Sequence, residues 1–168
     1  DSSGQWWADE SLSYYAELQP LEGAAELEAA TNIHGLTRDY LMDNARPPKE
    51  VMEEFAIFFK DLEKRFKKVI PAAWPSSFDS PYLGWYLQYF TKDNPIGWSA
   101  FDIPSYGMGL FRCHRNALRN LMKKAGIEFG NNPNPHNALA DALEQGQTLA
   151  SLLNHARQLR KEKSRVAT

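Results

Sequence analysis

The sequence predicts an α/β or α+β fold, and three observations carry that prediction. Residues 48–66 place Val51, Phe55, Phe58, Phe59, Leu62 and Phe66 at spacings of three and four, with Glu50, Glu53, Glu54, Lys60, Glu63 and Lys64 opposite. In residues 12–19, Leu12, Tyr14, Ala16 and Leu18 alternate with Ser13, Tyr15, Glu17 and Gln19, the period of a strand. Short apolar runs at Val69–Trp74 and Trp98–Ile103 are strand candidates lying between helical stretches.

Taken in order, residues 1–10 are polar and turn-like apart from Trp6 and Trp7. Pro20 ends the alternating segment, because proline cannot donate to a ladder. Residues 23–32, rich in Ala and Glu, predict a short helix. Thr37 is an N-cap for another, running to Leu41. The helix over 48–66 opens on Pro47-Pro48, acidic at its start and basic at its end, as the helix dipole favours. Pro75–Asp79 is read as a turn into an apolar helix bearing Leu83, Tyr86, Leu87 and Phe90. Pro104-Ser105 opens a further helix, and Asn116–Ala125 is helical with Gly126 after it. Residues 130–135, GNNPNP, form a turn-rich loop before a helix expected over 137–153. A basic tail covers 157–168.

The 168 residues suit one domain. A net charge of −2 provides no global attraction to a polyanion, so such a site would be a local patch or a metal site. One cysteine, Cys113, excludes an internal disulfide framework and fits a reducing, cytoplasmic setting. No signal peptide or bilayer-spanning run is seen. Cys113-His114 without a second pair is no zinc site.

Chemistry concentrates in His136-Asn137-Ala138-Leu139-Ala140-Asp141-Ala142. Five residues on a helix turn through about 500°, so a mid-helix His136 and Asp141 would diverge by roughly 140°. With His136 in the loop and Asp141 one turn inside the helix, both can serve one site. An imidazole can take a proton from water, and a carboxylate can hold Mg²⁺ or Mn²⁺. The plain alternative is a histidine near an N-cap and a surface aspartate. Asp79, after Ser77-Phe78, lies where α/β sheets build sites, or is simply a first-turn acid. The basic tail reads as a solvated helix end that could also follow a phosphate backbone.

In this order, ELQPL, IHGLT, PPKEVMEEF, SSFDSPYL and PHNALADA resemble a DEDDh-type 3′–5′ exonuclease of the ribonuclease H-like superfamily, over residues 11–153. HNALADA is similar to that family's H-x-A-x-x-D-A motif. SSFDSPYL matches the second motif less fully, with Ser76-Ser77 where Asn or His is usual. The resemblance implies a mixed sheet flanked by helices and two divalent ions, Mg²⁺ or Mn²⁺, held by carboxylates. It implies single-stranded DNA or RNA ends as substrate and no membrane, with a homodimer as one possible assembly. By the same resemblance His136 is the catalytic base, Asp79 and Asp141 are metal ligands, and Phe78 packs on the terminal nucleotide. The family's first motif, Asp-x-Glu, has no counterpart before IHGLT, and Asp61-Leu62-Glu63 falls mid-helix after it. The first strands of the sheet are therefore expected to be missing, with two metal carboxylates. They could lie in a preceding segment, since the sequence opens on Asp1, or in another chain. Alternatively, the domain is a non-catalytic nucleic-acid-binding or interaction module on the same fold. The preceding segment is the expectation.

Overall fold

The structure, a computed structural model, describes residues 4–166; the first three residues and the last two of the basic tail lie outside it. Among the described residues, seven helices and a two-stranded parallel sheet form a mixed α/β arrangement. The elements are α1 (Glu28–His34), α2 (Arg38–Asn44), α3 (Pro48–Phe66), β1 (Ala72–Ala73), α4 (Ser76–Thr91), β2 (Phe101–Asp102), α5 (Ile103–Phe111), α6 (Arg115–Lys124) and α7 (Ala138–Val166). In the sheet Ala72 pairs with Phe101 and Ala73 with Asp102.

The apolar side chains collect into two clusters. Val51, Met52, Ala56 and Phe59 of α3 bury against Leu87 of α4 and Ile96. Ile103 of α5, Leu118 and Met122 of α6, Ile127 and Leu152 of α7 form the second. Each fully buried side chain of this size contributes about 1.5–3 kcal/mol. β1 and β2 lie between the clusters, with Trp74 and Phe101 packed on the second.

The strand expected over 12–19 is a correction. Tyr14, Ala16 and Leu18 do face the first cluster, so the alternation marked the buried side correctly. The backbone, however, pairs only at an isolated parallel bridge between Leu18 and Arg46. A strand needs a partner along its length, and here the backbone pairing is confined to Arg46 against Glu17 and Gln19. α1 starts later than its composition predicts, at Glu28, and Thr37 caps α2 through a bond from the Tyr40 N–H. The turn read at Pro75–Asp79 is already the first turn of α4. The last helix runs on past residue 153 to Val166, absorbing most of the basic tail. Residues 4–10 lie along it: Trp6 exchanges two backbone hydrogen bonds with the Asn154 amide, both 2.9 Å, and Gln147 donates to Glu10 at 2.9 Å.

Asp102 holds the junction. Its Oδ1 accepts the Ser105 N–H at 2.9 Å and so caps α5. Its Oδ2 accepts the Ser76 N–H at 2.9 Å and the Ser76 hydroxyl at 3.2 Å, at the start of α4. Partial burial works to raise this carboxyl, but the bonds from Ser105 and Ser76 outweigh it and hold the group below the ordinary 3.8. A lowered folded-state value stabilises the protein fully above the unfolded value, and this is lost as pH falls through the folded one. Asp102→Ala removes caps from two helices and is expected to cost about 2 kcal/mol, at roughly 1 kcal/mol per cap. Urea unfolding at pH 7 checks the loss, which should shrink as pH is taken below 3.8.

Candidate functional site

The site is built at the mouth of α7. Asn134-Pro135-His136-Asn137 is a turn, closed by the Asn137 N–H donating to the Asn134 carbonyl at 3.2 Å. Pro135 presets the second position, and His136 takes the third with φ of 71°. That is a type II arrangement with histidine where glycine is usual. Asn137 then caps the helix, its side chain accepting the Ala140 N–H at 3.1 Å. This places His136 in the loop and Asp141 in the first turn of α7.

The two residues meet, though through backbone and not imidazole: the His136 N–H donates to Asp141 Oδ1 at 3.3 Å. The same oxygen accepts from Asn132 Nδ2 at 2.6 Å, and that amide also reaches Glu144 Oε2 at 3.3 Å. Asn132 thus bridges two carboxylates one turn apart. Its loop is pinned on α7 by Gly130 N–H to Thr148 Oγ1 at 3.0 Å and Asn131 N–H to Gln147 Oε1 at 3.1 Å. A Cβ on Gly130 would come within 2.5 Å of the Glu144 carbonyl oxygen, so only glycine fits this approach.

Asp141 and Glu144 line a small cavity of about 70 Å³ with Trp74, Arg119 and Phe129. The Arg119 guanidinium lies 5.0 Å from the Trp74 ring and 5.4 Å from Phe129. On its other side, His136 faces a cleft of about 430 Å³ with Tyr15, Glu17, His34 and Asn137. His34 Nδ1 accepts the Leu36 N–H at 3.0 Å, which puts the proton of the neutral ring on Nε2. Tyr15 donates to Glu17 at 2.9 Å. Loss of hydration, and then the bond to Glu17, push the Tyr15 hydroxyl above its usual range.

Asp79 and Phe78 stand in the first turn of α4. The Trp74 N–H, two residues ahead of that helix, donates to Gln145 Oε1 of α7 at 2.7 Å, tying α7 to the link between β1 and α4. Partial loss of hydration raises the Asp79 carboxyl, although the residue as a whole stands exposed. Phe78 is 66% exposed and tilts against Tyr82 at 6.0 Å. Trp85 and Tyr89 stack further along at 4.9 Å.

The structure therefore joins His136 to Asp141 by a hydrogen bond, and sets Asp79 in the first turn of α4. A separate cleft of about 500 Å³ between Trp85 and Trp98 shares no lining residue with this site. No group of three or more His, Cys, Asp or Glu able to hold a metal forms among the described residues. One Asp141 oxygen is taken by two N–H donors. These residues alone do not fit a two-ion centre. Sequence reasoning passed over Asn132, Glu144 and Arg119. Glu144 stands three residues after Asp141, the spacing of neighbours on a helix face.

No family model matches the chain. It is 26% identical over 121 residues to the 3′-5′ DNA exonuclease Cap18 of Escherichia coli, covering 72% of this chain and 64% of that protein. This is a distant exonuclease relationship, and the chain spans just under two thirds of its relative's length.

Two outcomes follow from the geometry. Histidine at a positive φ costs about 1 kcal/mol relative to glycine. His136→Gly is expected to raise the unfolding free energy by up to that amount, read by urea denaturation, while removing the imidazole. Gly130→Ala is expected to lower stability by about 1–3 kcal/mol, since helix backbone cannot yield as a side chain can. Loss of the Asn132 bonds to Asp141 would accompany it, visible as changed amide resonances at Asn132 and His136.

Proposed function

We propose that this chain is the greater part of a nuclease domain of the 3′–5′ exonuclease kind, ribonuclease H-like in fold and of the DEDDh type. The completed domain hydrolyses phosphodiester bonds at single-stranded nucleic-acid 3′ ends. The observation that carries the reading is the turn-and-helix unit joining His136 to Asp141 in a chain distantly related to an exonuclease. In this reading His136 takes the proton of the attacking water, its backbone set at the loop apex by the Asn134–Asn137 turn. The exposed ring of Phe78 packs on the terminal base.

Mg²⁺ or Mn²⁺ is the cofactor this reading calls for. Asp141 and Asp79 are its carboxylates within these residues, and the remaining ligands lie outside them. The shortage of ligands favours a second reading, in which the domain binds nucleic acid without cutting it.

The chain as given is expected to digest a labelled single-stranded oligonucleotide in Mg²⁺ very weakly or not at all. Joined to a segment bearing an Asp-x-Glu strand, it is expected to gain activity that Asp141→Asn or His136→Ala reduces by at least about 100-fold, the scale of one acid–base group. Robust digestion by the chain alone, lost in Asp141→Asn, would refute the incomplete-site reading. Binding with no cutting by the joined protein would favour the second.

A further inference from the structure

The weak overall charge conceals a strong division. Residues 1–102 hold nine lysines and arginines against seventeen acids, and residues 103–168 hold ten against four. The buried residues of the two apolar clusters divide near the same point, α3 and α4 before it and α5, α6 and α7 after it, while Trp74, Phe101 and the 4–10 segment cross to the second side. The ion pairs among the described residues, Arg46–Glu54, Lys49–Glu53, Lys60–Asp93 and Lys64–Asp61, all lie within the acidic half.

The cations are ordered. Arg115, Arg119 and Lys123 recur every four residues on the exposed side of α6, a helix with no acid in it. Arg119 lines the cavity that holds Asp141. Farther along α7, Arg160 and Lys163 line a cleft of about 400 Å³ against Ser105, Tyr106 and Gly109 of α5. From Asp141 to Arg160 the helix axis covers roughly 28 Å at 1.5 Å per residue. The four acids of this half are Glu128, Asp141, Glu144 and Glu162. Asp141 and Glu144 are bridged by Asn132.

The chemistry of the surface selects its partner. Among the described residues, α5, α6 and α7 expose no large hydrophobic side chain of their own, and the exposed rings nearest α7 are those of Trp6 and Trp7, on the segment bonded to Asn154. Two indoles beside a row of cations suit bases that stack and phosphates that pair. A phosphate backbone needs only cations at intervals.

We propose that α5, α6 and α7 form a phosphate-docking face for nucleic acid, running from Arg119 beside Asp141 to Arg160 and Lys163. As the path of a strand toward a cleavage site it rests on the nuclease reading; as a binding face it stands without it. The test is fluorescence anisotropy of a labelled single-stranded oligonucleotide with the whole chain in EDTA, across a salt series. Affinity falls steeply with salt. Arg115→Gln, Arg160→Gln and Lys163→Gln together flatten the log–log slope by about 2, at roughly 0.7 per lost phosphate contact. Lys49→Gln with Lys64→Gln, in the acidic half, leaves the slope unchanged. An unchanged slope in the triple variant, with its circular dichroism intact, overturns the proposal. So does binding of phosphatidylserine vesicles, sensitive to the triple variant, with no binding of oligonucleotide. Binding read in EDTA and hydrolysis read in Mg²⁺ separate the two readings: salt-sensitive binding without hydrolysis in the completed protein sinks only the nuclease, and hydrolysis with variant-insensitive binding sinks only this face.

Discussion

One carboxylate decides how the two halves of the molecule meet. Asp102 ends β2, caps α5 with one oxygen and takes the first donors of α4 with the other. Helix starts leave unsatisfied N–H groups, and an anion there answers both the hydrogen-bond deficit and the dipole. Because the same side chain serves both helices, α4 cannot shift along β1 without uncapping α5. The sheet itself is only two residues wide in each strand, too little to orient the clusters by pairing alone. The Gln145 bond to the Trp74 backbone adds α7 to the same junction. Phe78 and Asp79 on one side, His136 and Asp141 on the other, therefore take their positions from a junction that contains none of them.

The mouth of α7 is built differently. Its geometry comes from local chain chemistry: proline sets the turn, asparagine caps the helix, and a glycine lets the 130–132 loop touch helix backbone. The histidine at a positive φ is the one residue working against this economy. Strain of that kind persists where surrounding structure over-determines it. Here the Asn137 cap and the bond to Asp141 do so.

Much of this was legible in the residues. The 48–66 helix was found to its ends, because proline punctuated its start and a strict apolar stripe ran its length. The short runs at 69–74 and 98–103 each contained a real strand, shortened because only two residues find partners. A loop histidine beside a first-turn aspartate was also readable, from Pro135 and the helical pattern after it. The strand at 12–19 was not, since alternation reports which side is buried and is silent on whether a neighbouring strand exists. Asn132 was hidden for a similar reason: its partners are nine and twelve residues away, and nothing local marks an amide that will bridge two acids.

By itself, the sequence determined the helices, their caps, the turn at His136 and the charge each segment carries, since all depend on residues within a few positions of one another. Only the tertiary structure decided that Asn132 bridges Asp141 and Glu144, that Arg119 lines one cavity with Asp141, and that residues 4–10 lie along α7. Those facts depend on how α4, α6 and α7 are docked. Docking is governed by Asp102, Gln145 and the buried faces acting across distances that no local pattern encodes.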